Sequence, residues 1–171
     1  PLIAHHLAMD QGLQEKYAAH SACFGCGPAN PKGLRVRTIA ASSGEAWADG
    51  KTSATHAEWR PSAEHEAFPG VLNGGIVGAL LDCHSNWTAA YHLMQVRGLE
   101  SPPCTVTADF HVQLLRPTPT DGLIRIEAWV VSSEGDSVQV ESRLVVAGKT
   151  TSKCSGRFVA VKPGHPAYHR W

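Results

Sequence analysis

Between Thr105 and Leu114 the chain alternates strictly: Val106, Ala108, Phe110, Val112 and Leu114 are interleaved with Thr105, Thr107, Asp109, His111 and Gln113. Successive residues of a strand face opposite ways, so this pattern predicts a strand with its apolar set buried. Leu123–Val131, Val138–Ala147 and Ser155–Val161 read as further strands, with Glu134-Gly135-Asp136 and Ala147-Gly148-Lys149 as hairpin turns. Turns this short predict antiparallel pairing, because parallel neighbours need a long crossover. Upstream the period becomes helical. A helix is predicted from Gly74 to Arg97, capped by Asn73 and stopped at Gly98. On a helical wheel Gly75, Gly78, Ala79, Asp82, Ser85, Asn86 and Ala89 share one face. Val77, Leu80, Leu81, Trp87 and Tyr91 fall largely opposite. The large side suits a sheet, and the small side leaves room for a close neighbour. Before it come a short helix over Leu7–Ala19, a Gly/Pro-rich turn region from Cys23 to Leu34, and a strand pair, Leu34–Ile39 and Glu45–Lys51. A loop punctuated by Pro61, Pro69 and Gly70 follows. The predicted order is α-β-β-α-β-β-β-β, an α+β domain.

Composition narrows the function classes. The 171 residues suit one domain, and Lys+Arg and Asp+Glu balance at 15 each, so no field favours nucleic acid or a membrane surface. The most apolar run, Val71 to Val96, carries Asn73, Asp82, His84, Ser85 and Asn86, which argues against a membrane span. Five cysteines and no secretory signal in the sequence suggest a soluble protein of a reducing compartment, placed in the cytoplasm.

Candidate chemistry gathers on the long helix. Gly74 and Gly75 expose backbone N–H groups at the positive end of the helix dipole, where an anion or a developing oxyanion can sit. The competing reading is that the pair only permits a tight approach of the loop to the helix. Asp82 lies seven residues beyond Gly75, ~10 Å along the axis. One helix therefore cannot present both to one carbon, but two antiparallel helices across a two-fold axis can. Cys23 and Cys26 supply only two metal ligands, with no second Cys-x-x-Cys, and His20, His5 or His6 complete a set only by coincidence. No metal site is expected. Cys83, Cys104 and Cys154 read as buried thiols and His84 as a satisfied core histidine.

Asn73-Gly74-Gly75 followed by Asp82, with Phe68-Pro69-Gly70-Val71 before and Leu115-Arg116-Pro117 after, resembles the hotdog-fold thioesterases of the phenylacetyl-CoA type. The segment Cys23-Phe24-Gly25-Cys26-Gly27-Pro28-Ala29-Asn30-Pro31-Lys32-Gly33-Leu34 is similar to the start of one subgroup. The resemblance implies an antiparallel sheet wrapped around the helix over 23–162, with 1–22 as an N-terminal extension and 163–171 as an irregular tail. It implies hydrolysis of an acyl- or aryl-CoA by a homodimer or a tetramer built as a dimer of dimers. Gly75 would donate to the thioester carbonyl. Asp82 of the partner would serve as base or nucleophile, and Asn73, Gly74, Asn86 and Thr107 would help bind substrate. CoA is part of the substrate, so no cofactor is implied. The family's motif histidine is Asn73 here, and its water-holding amide is Ala67, with His65 or Glu66 as substitutes. The alternation of the Thr105–Leu114 strand turns Thr107 away from the expected core. A non-catalytic acyl-CoA-binding domain is the alternative reading.

Overall fold

The computed structural model describes residues 11–41 and 54–169. Helix α1 covers Leu13–Tyr17, and helix α2 covers Gly74–Arg97. Strands β1 (Ile39–Ala40), β2 (Thr55–Trp59), β5 (Thr105–Leu114), β6 (Ile124–Glu134), β7 (Ser137–Val146) and β8 (Lys149–Ala160) form one antiparallel sheet. Its order is β1-β2-β6-β7-β8-β5. A two-stranded ribbon, β3 (Glu66–Phe68) and β4 (Val71–Leu72), leads into α2. This is the hotdog arrangement, one long helix held in an antiparallel sheet.

The core explains the wrapping. Val77, Leu80 and Leu81 pack with Ile124, Ile126 and Leu144, while Ala89 and Leu93 pack with Val138, Val140 and Phe158. Several of these are fully buried, so a truncation such as Leu80→Ala should cost ~2–5 kcal/mol. Leu13 and Gln14 are buried too, which ties the chain from residue 13 onward into the same core. Helix α2 has its predicted limits. Asn73 caps it, and Gly98 stands in the left-handed region at φ 63, a conformation that favours glycine.

Other expectations needed correction. Leu34–Ile39 is a strand only at Ile39, because Arg35 has φ 53 and the amides of Leu34 and Val36 bond to Phe24 and Gly25 in the turn. Glu45–Lys51 lies outside the described residues. The loop expected before Pro61 contains β2, whose inward residues are Thr55, Ala57 and Trp59; only Trp59 is large and apolar, so its alternation does not stand out. The last strand starts at Lys149, six residues earlier than its apolar part suggested.

The largest correction concerns β5. The register of β5 on β8 slips between Thr107 and Asp109, leaving Ala108 as the extra residue of a bulge. Side-chain direction changes there. Thr105 and Thr107 face α2 on one side of the bulge, and Val112 packs on the core on the other. Of the set expected to be buried, Ala108, Phe110 and Leu114 are exposed in the single chain. The small-residue face of α2 is also only partly open. Ser85, Asn86 and Ala89 press on the chain's own sheet, so only Gly74, Gly75, Gly78, Ala79 and Asp82 remain for a neighbour.

Candidate active site

The mouth of α2 is held by backbone contacts. The Asn73 N–H donates to the His65 carbonyl at 2.9 Å, and the Leu72 N–H donates to the Thr118 carbonyl. The Asn73 side chain accepts from the Gly75 N–H at 2.8 Å and more weakly from Ile76 at 3.3 Å. Gly75, expected to point its N–H at a carbonyl, is therefore engaged by its own cap. Asn73, Gly74 and Gly75 are all exposed in the single chain.

Two turns along the helix, Asp82 lies against β5. The Thr107 hydroxyl donates to Asp82 Oδ1 at 2.6 Å, and the Asn86 amide lies 3.4 Å from both Thr107 Oγ1 and the Thr105 carbonyl. The Thr105 hydroxyl closes the network on Asn86 Oδ1. An amide that donates to Thr107 Oγ1 turns the threonine proton toward the carboxylate. Asp82, Asn86 and Thr107 thus form one connected set. The bulge brings Thr107 there against the simple alternation.

His65 and Glu66 are not part of that set. His65 Nδ1 accepts from the Ser62 N–H at 3.0 Å, and its ring packs on Trp59 with centroids 4.9 Å apart. Glu66 accepts from the Thr120 hydroxyl. They meet the helix mouth through the backbone, His65 by its carbonyl to Asn73 and Glu66 by pairing with Leu72.

His84, two residues after Asp82, is fully buried in a closed network. Thr88 donates to the His84 carbonyl at 2.8 Å and so must accept from Thr55, whose oxygen then accepts from His84 Nε2. His84 Nδ1 in turn accepts from Thr38, whose oxygen accepts from Gln14. Every hydroxyl has one donor role, which makes the imidazole the neutral Nε2–H tautomer. Burial pushes its pKa down to about 3. The expected core histidine is confirmed.

Asp82, Asn86 and Thr107 share a small cavity, about 70 Å³, with Ser21, Trp87 and three cysteines: Cys23, Cys26 and Cys83. A larger cavity of about 410 Å³, lined by Trp129, Arg143 and Lys153 among others, does not include Asp82. In the small one the Cys23 and Cys83 sulfurs are 3.8 Å apart, and all three sulfurs lie within 4.8 Å of one another. Hydrogen bonds from Cys26 and Cys83 hold the Cys23 thiol far below its ordinary pKa. Hydrogen bonding to Cys23 pushes Cys26 up to about 12 and raises Cys83 as well. The three thiols are thus coupled to one another, with Cys23 the most acidic. Sequence reading placed Cys23 and Cys26 in a turn and Cys83 in the core, and no spacing signal linked them. Buried Cys154, raised to about 11 mainly by burial, is apart from this group.

The relatives agree with this architecture. Residues 69–153 match the family model described as Thioesterase superfamily. Among solved structures, a thioesterase superfamily protein from Shewanella loihica PV-4 is 25% identical, covering 64% of this chain and 85% of that one with a TM-score of 0.54. A phenylacetic acid degradation-related protein of Ralstonia eutropha JMP134 is 20% identical, covering 74% and 86% with a TM-score of 0.58. The Escherichia coli PaaI protein, from the phenylacetic acid degradation operon, is 14% identical, covering 64% and 74% with a TM-score of 0.56. No curated protein sequence matches the chain. Over the matched segment, which holds the helix mouth, Asp82, Asn86 and Thr107, the chain belongs to the thioesterase superfamily.

Proposed function

We propose that the protein hydrolyses an acyl- or aryl-CoA thioester to the free acid and CoA. The observation that carries this reading is the Asn86–Thr107–Asp82 chain of hydrogen bonds beside a cavity, on the helix of a thioesterase-superfamily fold. Thr107 holds one carboxylate oxygen of Asp82. The carboxylate takes a proton from water, whose oxygen attacks the thioester carbon; the C–S bond breaks and the sulfur leaves as CoA thiol. Direct attack by Asp82, followed by hydrolysis of the anhydride, reaches the same products. Neither route needs a metal.

The carbonyl oxygen is received at the α2 N-terminus of a second copy, since ~10 Å of helix separates Gly75 from Asp82. A second copy also suits the open side of the molecule. Strand β5 is an edge strand ten residues long, with Phe110 and Leu114 exposed at 45% and 60%. Phe110 and Leu114 are the side chains nearest to Gly78 and Gly74. Covering this band with a partner buries apolar surface and builds two composite sites; the number of copies is read directly by light scattering.

CoA release should be measured over a panel of acyl- and aryl-CoA esters, for the wild type and for Asp82→Asn. Turnover that survives the substitution rules out the mechanism. One observation favours a second reading, a CoA-ester-binding domain without catalysis: Asn73 occupies the N–H that a carbonyl would use. Thermal stabilisation by the same esters without CoA release would select it.

A further inference from the structure

We propose that Cys23, Cys26 and Cys83 bind one Zn²⁺ ion as thiolates, and that the ion fastens the 21–34 loop onto α2 beside Asp82. The site stands or falls independently of the hydrolase reading, because its ligands are not the groups assigned to thioester chemistry.

Distance is the first argument. Zinc–sulfur bonds of about 2.3 Å place the sulfurs of a tetrahedral site about 3.8 Å apart. The Cys23 and Cys83 sulfurs are 3.8 Å apart, and the third lies within 4.8 Å of both. A disulfide needs sulfurs about 2.05 Å apart and would use only two of the three.

The surroundings are built for this approach. Gly25 lies where a Cβ would meet Cys83 Sγ at 2.3 Å and the Ala79 carbonyl at 3.4 Å, so only glycine lets the turn seat on the helix. A Cβ on Gly27 would come within 2.4 Å of the Cys23 backbone nitrogen. The Trp87 indole N–H donates to Cys26 Sγ at 3.3 Å. Such a donor offsets part of the excess negative charge of three thiolates around a divalent ion.

The choice of ion follows from the donors. Sulfur ligands select zinc over magnesium, calcium or manganese. Among the described residues no fourth cysteine or histidine lines the cavity, and its volume of about 70 Å³ accommodates a water as fourth ligand.

The test is metal content and metal spectroscopy on the full chain. Protein purified reduced and without chelator should contain about one zinc per chain by elemental analysis. After zinc removal, Co²⁺ should restore thiolate-to-cobalt charge-transfer absorption and the visible bands of a tetrahedral site. Cys23→Ser and Cys83→Ser should each weaken zinc binding tenfold or more, Gly25→Ala should weaken it as well, and Cys104→Ser should leave it unchanged. Cys23 is exposed, so its variant carries the test if Cys83→Ser does not fold. A folded, reduced chain that binds neither Zn²⁺ nor Co²⁺ overturns the site. So does zinc retention in Cys23→Ser, iron or copper in place of zinc, or a disulfide among the three cysteines in the isolated protein.

Discussion

Asp82 and His84 are separated by one residue on the same helix, yet the fold treats them oppositely. His84 is sealed: Thr38 and Thr55 hold its two nitrogens, and Gln14 and Thr88 complete the network. Asp82 is half-buried, held by Thr107 and open to a cavity. A polar group whose hydrogen bonds close on the protein contributes to the uniqueness of the core. One that borders a cavity can exchange protons with what enters it. Helix geometry produces the contrast, because residues two apart point about 200° away from each other.

Substitutions can break or sharpen this difference. The largest effect expected is at Asp82. Asp82→Asn should lower turnover by ~10²–10⁴-fold, with little change in thermal midpoint, as steady-state kinetics and calorimetry would show. An unfolded Asp82→Asn would instead make Asp82 a second His84. Thr107→Val keeps the shape and removes the bond to the carboxylate; a bond to a charged group is worth ~1.5–3 kcal/mol, so a fall of ~10–100-fold is expected. At His84 the readout should reverse. His84→Leu strands the Thr38 and Thr55 hydroxyls and should cost ~2–4 kcal/mol in urea unfolding, with the activity per folded molecule kept within a few-fold.

Acid should expose the same distinction. His84 titrates at about 3 in the folded chain, below its ordinary value of 6.5. Its folded pKa is depressed, so the unfolded chain binds the extra proton first. The stability from burying neutral His84 is therefore intact above about pH 6.5 and is lost as pH falls from there toward 3. His84→Asn should flatten that part of the stability–pH curve, which urea titrations at several pH values would measure. The smallest effect is expected at the helix mouth. Asn73→Ala should cost ~1 kcal/mol as a lost cap. It also frees the Gly75 N–H, so a rise in turnover per folded molecule would mean that the cap had been competing with the substrate.

Much of the architecture was legible in the chain. The limits of α2, the hairpins at Gly135 and Gly148, and the placing of Gly75 and Asp82 follow from periodicity, caps and spacing, while Asn86 entered through the family resemblance alone. Thr107 was legible as a polar strand residue, but its direction was not, because one bulged residue reverses the alternation. β2 was missed because Trp59 is its one large apolar inward residue, and Thr55 and Ala57 add little signal. His65 and Glu66 were plausible by position near the helix, yet Ser62 and Thr120 engage them elsewhere.

By itself, then, the sequence determined which residues form the long helix, where it starts and stops, and that a carboxylate sits in its apolar run. These are local matters of backbone preference, side-chain period and capping. Only the tertiary structure decided what that carboxylate meets. Thr107 reaches Asp82 through a bulge 25 residues away, and Cys23 and Cys26 reach Cys83 because Gly25 lets a turn lie on the helix. Contacts between distant segments depend on how strands register and how closely elements pack, and no periodicity along the chain encodes either one.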